Sequence, residues 1–494
     1  MLSILGNAHR LCDGLTRREL LRLGGLSLFG TSLADSVARG GKQLTRGGGK
    51  AKACILLFPY GSPSQHETFD PKPDAPAEVR GELGSIPTRV PGLRVCDRLP
   101  RVASIADRIT VVRSVTHPYP VHGVAYAVTG MPTYTPDLEA RPRDSRHWPF
   151  IGSVVDHLEA RRSPGERAEP RNVALPWMLN SKTDLLVNAG PFAAFLGQAH
   201  DPVWTDFDGR GTHEVPIYTQ DQKKRFHDPF GGTLPGGRFS ISAGGDALPD
   251  VPIERLNLRR SLLNQLDHAR SRLDGPLTAG VVEHQRAQAY HLLTSSKMRL
   301  ALDIAREPLQ LRERYGMTLF GQSCLAARRL VEAGCKFVTV FWDGYGQFGN
   351  CAWDTHQNHF PRLKEYLLPG FDRAYPALIE DLEQRGLLDE TLVLWLSEHG
   401  RTPRIDTKWT GGGRDHWSRV YSVALAGGGV ARGRVVGESD RIGGDVKQTP
   451  VSPKDLLATT LHLLGHDADS HVLDREGRPV RAVGDGRVRE EVLE

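Results

Sequence analysis

The sequence predicts a three-layer α/β/α sandwich around a mostly parallel sheet. Two observations carry that reading. Short, continuously apolar runs recur along the chain, and segments of helical periodicity lie between them. Strands buried on both faces read as near-continuous Val/Ile/Leu stretches rather than as alternating ones.

The first run is Ala53-Cys54-Ile55-Leu56-Leu57-Phe58, which ends in Pro59-Tyr60-Gly61. Ile109–Ser114, Lys336–Trp342, Thr391–Ser397 and Tyr421–Ala426 follow as four more predicted strands. Predicted helices are Val121–Thr129, Ile253–Asp274, Val282–Ala305, Leu319–Ala333 and Asp372–Arg385. A last one runs from Pro453 and is closed by Gly465 as its C-cap. Strands that alternate with helices in this way connect through right-handed crossovers. Ala199–Leu248 is rich in Gly, Pro and Asp, with little periodicity, and is expected to be a long surface excursion.

The N-terminus reads as an address. Arg17-Arg18 stand before an apolar stretch, Leu20–Leu33, that is too short and too rich in Gly and Ser to span a bilayer. Ser36-Val37-Ala38 supplies a small-x-small cleavage candidate. Residues 1–38 are therefore expected to be a twin-arginine signal, a receptor-read export tag. The Gly-rich, basic stretch 39–52 is expected to be a flexible linker. The main domain is placed at 53–470, with a helical segment at 253–333 and a C-terminal tail at 471–494. No later run reaches 18 apolar residues, so no stable transmembrane segment is expected. The route implies a periplasmic or extracellular protein that meets the twin-arginine export machinery.

The net charge of +5 belongs to the N-terminus. Residues 1–38 carry four Arg against three acids, and residues 39–52 carry five basic residues and no acid, so the remainder sums to −1. A folded domain without a basic balance argues against nucleic acid as a partner. Six cysteines with no Cys-x-x-Cys spacing argue against a disulfide framework or a zinc ribbon, and buried thiols are expected.

In an open parallel sheet, ligands bind beyond the carboxyl ends of the strands. Seven of the 19 histidines fall in the segments next to the predicted strands: His66, His117, His122, His356, His359, His399 and His416. Most have Asp or Glu nearby. Imidazoles mixed with carboxylates suit a divalent ion such as Zn²⁺, Ca²⁺, Mn²⁺ or Mg²⁺, singly or paired. A serine-hydrolase elbow is not expected, because Gly61-Ser62-Pro63-Ser64-Gln65 does not fit Gly-x-Ser-x-Gly.

These segments resemble a known family. Gly61–Pro73 (GSPSQHETFDPKP), Val112–His117 (VRSVTH), Leu311–Arg329, Trp353–His356 (WDTH), Ser397–Arg404 (SEHGRTPR) and Gly413–Trp417 (GRDHW) occur in the order seen in the twin-arginine-exported bacterial family called domain of unknown function 1501. That family is similar to the alkaline phosphatase/sulfatase superfamily. The resemblance implies an α/β sandwich of that kind, with divalent metal at the strand ends. It puts Glu398-His399-Gly400, Asp354, His356 and His416 at metal positions, and Glu67 or Asp70 in place of a first-strand acid. His117, His122 and Arg113 would face a small-molecule or carbohydrate ester, with Arg113 or Arg401 pairing an oxyanion. The implied activity is hydrolysis of sulfate or phosphate esters. The pattern also departs from the superfamily's. No Ser, Thr or Cys precedes Ala127-Val128-Thr129-Gly130 at the nucleophile position, which keeps open a non-catalytic binding role for the same cleft.

Overall fold

The central sheet has nine strands. The computed structural model describes residues 49–494 except 120–123, 133–137, 139–140, 164–169, 184–188, 219–222, 242–295 and 346–351. The signal, most of the linker, His122, Cys351, the predicted helix at 253–274 and the first part, 282–295, of the one predicted at Val282–Ala305 lie outside the described residues; within the rest of the latter, Ser296–Leu302 is helical.

Numbered along the chain, the sheet strands are β1 (Ala53–Pro59), β2 (Ile109–Val115), β3 (Asn172–Leu175), β4 (Val203–Asp208), β5 (Arg238–Ile241), β6 (Phe337–Trp342), β7 (Thr391–Trp395), β8 (Tyr421–Ala426) and β9 (Arg434–Val436). Their spatial order is β9-β2-β8-β7-β1-β6-β3-β4-β5. β1 runs parallel to both of its neighbours, β6 and β7. β8 is antiparallel to β7 and β2, and β5 is antiparallel to β4. All five predicted strands are therefore in the sheet, and the sheet is mostly parallel.

The period of two along each strand separates two cores. From β1, Ile55 and Leu57 enter one core while Cys54, Leu56 and Phe58 enter the other. Val393 and Trp395 of β7 divide from Leu392 and Leu394 in the same manner. Helices α3 (Leu319–Glu332) and α4 (Leu368–Gln384) cover the first face. Helices α1 (Val124–Thr129), α2 (Ile151–Arg162) and α5 (Pro453–Leu463) cover the second. Each fully buried Leu, Ile or Phe contributes about 1.5–3 kcal/mol. Ser452 and Asp455 close α5 with a reciprocal capping box.

Two expectations are corrected. The 199–248 stretch is not a structureless excursion. It supplies β4, β5 and a hairpin of Gly211–Tyr218 with Lys223–Thr233. Trp204, Phe207, Phe230 and Phe239 anchor it in the two cores, apolar residues too sparse to register as a pattern among the glycines. Nor is 471–494 a loose tail. His471–Leu473 pairs with Pro479–Arg481, and buried Val492 sits beside the bridge from Leu493 to Val430. The four described cysteines, Cys54, Cys96, Cys324 and Cys335, are buried thiols outside any disulfide, as expected. No helix among the described residues is long and apolar enough to cross a membrane.

Candidate metal centre

The chain leaves β6 and β7 on opposite sides of β1, which makes the carboxyl end of β1 a switch point where loops part and leave a crevice. The segments after β1, β6 and β7 meet there. His416 precedes β8 in sequence, yet it joins them because β8 runs antiparallel and begins at the end where the parallel strands finish.

Trp353 seats the loop that follows β6. It is buried, with its ring centroid 5.4 Å from that of Trp342 and 6.0 Å from that of Trp395, and its backbone N–H donates to Tyr60 O at 2.9 Å. The next residue, Asp354, is thereby held over the end of β1. Gly61 is required beneath it: a Cβ there would lie 2.2 Å from Asp354 N.

Asp354, His356 and His416 converge, with one ligand atom from each lying within 4.8 Å of the others. His356 Nε2 and His416 Nε2 are 3.1 and 3.2 Å from Asp354 Oδ1, and 3.0 Å from each other. Ligands at about 2.0–2.1 Å from a tetrahedral ion stand about 3.3 Å apart, so the spacing is close to that of a closed set. His356 Nδ1 lies 2.6 Å from Asp415 Oδ1. An ionised carboxylate only accepts, so Nδ1 donates and the Nε2 of a neutral His356 carries a lone pair. That lone pair faces a carboxylate oxygen and a second imidazole, and such a group of electron-rich atoms calls for positive charge between them. Arg401 Nη2, 2.6 Å from the same Asp354 Oδ1, and protons meet the need in part: the hydrogen bond to Asp354 raises the His356 pKa against the opposing effect of burial. A divalent cation meets it fully, and the donor set fits one. The cluster opens to solvent, with the His356 side chain 40% and the Asp354 side chain 30% exposed.

His399 is packed against this group, its ring centroid 4.4 Å from that of His416. Its Nδ1 donates to Gly400 O at 2.8 Å, which leaves the lone pair on Nε2. Glu398, its neighbour, is fully buried and accepts from Gly61 N at 2.8 Å and Ser397 Oγ at 2.7 Å.

Other predicted site residues serve the scaffold. Glu67 is buried against Arg414 Nη2 (2.6 Å) and His359 Nε2 (3.2 Å). Burial pushes its pKa up, but Arg414 and His359 outweigh that and hold it below the carboxylate range. Asp70 is buried among Ser439, Lys72 and Arg113. Neither acid is part of the converging group: each is fully enclosed by its own cation, whereas Asp354, also bound by Arg401, keeps a partly exposed carboxylate against His356 and His416.

Three residues expected to face substrate make hydrogen bonds to the protein's own backbone. Arg401 is fully buried, and its guanidinium reaches Ser62 O (3.1 Å), Arg414 O (3.1 Å), Trp353 O (3.2 Å), Gly61 O and Asp354 Oδ1 (2.6 Å). Nε and Nη1 take one acceptor each and Nη2 faces the other three, so the whole fork is engaged by the protein itself. Arg113 donates to Phe69 O at 2.8 Å and Arg94 O at 3.1 Å. His117 donates from Nε2 to Glu398 O at 2.7 Å and accepts at Nδ1 from Tyr119 N at 3.2 Å. Burial lowers its pKa to about 4, so it is neutral near pH 7.

The residues missed by sequence reasoning are Asp415, which orients His356, and Arg414, which anchors Glu67. Both lie within the Gly413–Trp417 motif, where His416 alone drew attention. Gln65 was also missed. It ties the first loop to the third by accepting from Arg401 N at 3.0 Å and donating to Arg401 O at 2.9 Å.

A mostly parallel sandwich with an imidazole–carboxylate cluster at its switch point defines the class of α/β proteins with a candidate metal centre at the strand ends. The chain belongs to the family described as Protein of unknown function (DUF1501), whose model matches residues 51–493. No curated protein matches it in sequence. Solved structures similar to it include Ps i-CgsB bound to k-i-k-neocarrahexaose, at 12% identity and a TM-score of 0.36 over 84% of this chain and 72% of that one. The PsFucS1 sulfatase from Pseudoalteromonas sp. is 12% identical with a TM-score of 0.36, over 96% and 77% of the two chains. The phosphonate monoester hydrolase SpPMH from Silicibacter pomeroyi is 13% identical with a TM-score of 0.30, over 89% and 75%.

Proposed function

We propose that this protein is an exported, metal-dependent hydrolase of sulfate or phosphate esters. The observation that supports it best is the convergence of Asp354, His356 and His416, two loops apart in the chain, around one point open to solvent. In this reading those three hold a divalent ion, with His399 beside them. The chemistry a bound divalent ion supplies at such a site is charge stabilisation on a sulfuryl or phosphoryl oxygen. The protein's own part is to orient. Asp415 sets the His356 tautomer, Arg401 fixes Asp354, and His117 holds the Glu398–His399 turn. Arg17-Arg18 support export by the twin-arginine route. That route carries folded proteins, and a centre drawn from separate strand ends exists only after folding.

One observation favours a second reading, a non-catalytic binding protein with the same cleft. Arg113, His117 and Arg401 are committed to the protein's own carbonyls, which leaves His122 from the substrate-facing set. Turnover of aryl sulfates and aryl phosphates with added Zn²⁺, Mn²⁺, Ca²⁺ or Mg²⁺ separates the two. Activity lost in His416→Ala supports the hydrolase; no turnover with any ion, in protein that binds metal, supports the binding protein.

A further inference from the structure

Scattered exposed apolar side chains are ordinary on protein surfaces. Among the described residues the markedly exposed large ones are Leu234, Leu300, Leu309, Trp409 and Leu473. Trp409 is the aromatic one, at 51% exposed, and its position sets it apart.

It stands at the tip of the loop that joins Arg401 to His416, both ends of which lie in the candidate metal centre. The base of that tip is closed by an antiparallel bridge, with Asp406 N to Gly413 O at 2.8 Å and Gly413 N to Asp406 O at 2.9 Å. The tip is pinned to the loop after β6: His359 N donates to Gly412 O at 3.0 Å and Phe360 N to Gly411 O at 3.1 Å. Gly413 is the point of closest approach. A Cβ there would lie 1.9 Å from His356 O and 3.4 Å from Trp409 Cδ1. The indole is thus held by a braced turn beside the backbone of His356, on the rim of the cluster.

An indole left half in water forfeits about 1 kcal/mol of burial, so its placement on a braced rim suits an occupant that covers it. A protein partner needs about 1,000 Å² with an apolar centre. The exposed neighbours on this turn are Arg404, Thr407, Lys408, Thr410 and Asp415, which supply charge and hydrogen bonding but no apolar patch. One flat aromatic among donors and acceptors matches a ligand that is apolar on its faces and hydroxylated round its edge. A pyranose ring has that form.

We propose that Trp409 is a stacking platform for a sugar ring, which seats a carbohydrate chain beside Asp354, His356 and His416 and makes the ester a carbohydrate ester. The assignment of an ester rests on the hydrolase reading; the sugar platform does not. The test uses the purified mature chain on an array of neutral and sulfated oligosaccharides, with calorimetry on the tightest binder. Trp409→Ala weakens that binding about tenfold, about 1.4 kcal/mol. Trp409→Phe retains most of it, and metal content and melting temperature stay unchanged in both. Wild-type protein that binds no oligosaccharide overturns the platform, as does undiminished binding in Trp409→Ala. Platform binding without any ester turnover would instead sink the hydrolase reading alone. Aryl-ester turnover with glycan binding indifferent to Trp409 would do the reverse.

Discussion

Asp415 Oδ1 lies 2.6 Å from His356 Nδ1, on the ring edge away from Asp354 and His416. The carboxylate thereby decides which imidazole nitrogen carries a lone pair toward the cluster. A change at Asp415 acts on the metal through the ring. Asp415→Asn is expected to weaken metal affinity about 10–100-fold with little effect on folding. Chelator competition measures this, and wild-type affinity in the variant would remove Asp415 from the site.

Direct removal of a ligand has a larger effect. Asp354→Ala and His416→Ala each leave two donors of three, and stoichiometric metal is expected to be lost in both. Elemental analysis after gel filtration checks this. Equal metal in wild type and both variants, or none in wild type, refutes the centre.

Glu67 separates scaffold from site. Its carboxylate is buried between Arg414 and His359, away from the converging three. Glu67→Gln leaves the Arg414 charge without its partner at a cost of about 3–5 kcal/mol. Chemical denaturation should show that loss while metal stoichiometry in the folded fraction stays at the wild-type value. Lost metal with unchanged stability would place Glu67 among the ligands after all.

Arg401 is expected to tolerate no replacement, including Lys. A lysine has three donors and no planar fork for five acceptors, so Arg401→Lys leaves buried carbonyls unpaired. Unpaired buried acceptors cost about 1–3 kcal/mol each. A melting temperature equal to wild type would contradict the assignment of Arg401 to the scaffold.

His117 contributes a pH dependence whose sign follows from its lowered pKa. Its folded value is about 4, against 6.5 as the ordinary value. Between those values the unfolded chain binds a proton that the folded one does not, so stability rises with pH. The contribution is fully present above about 6.5 and is lost as pH falls toward 4, by about 3 kcal/mol at most. His66 is shifted down to about 4 by burial as well and adds in the same sense. His117→Gln keeps a donor toward Glu398 O and removes the proton. The slope of unfolding free energy between pH 4 and 6.5 should flatten by about one proton. An unchanged slope would show that His117 is not the titrating group.

The five predicted strands were legible because a strand buried on both faces is mostly apolar along its length, and β1, β2, β6, β7 and β8 are, with only isolated polar residues such as Thr110, Arg113, Ser114, Thr339 and Ser422. β3, β4, β5 and β9 were not: they are three to six residues long, lie toward the sheet edges, and polar residues interrupt β4 and β5. The candidate ligands were legible as residue types at strand ends, since a switch point gathers whatever follows its strands. Which of them meet was a different matter. Glu67, Asp354 and Glu398 look alike in sequence, each an acid within three residues of a histidine. Glu67 is taken up by Arg414, 347 residues away, Glu398 accepts from Gly61 N, 337 residues away, and Asp354 is carried to His416, 62 residues away. The sequence by itself determined the layers, the end of the sheet where the chemistry gathers and the residue types available there. Only the tertiary structure decided which of these acids are enclosed by the scaffold and which is brought against two imidazoles at the surface, because that depends on pairings over a few ångströms between loops that share no local pattern.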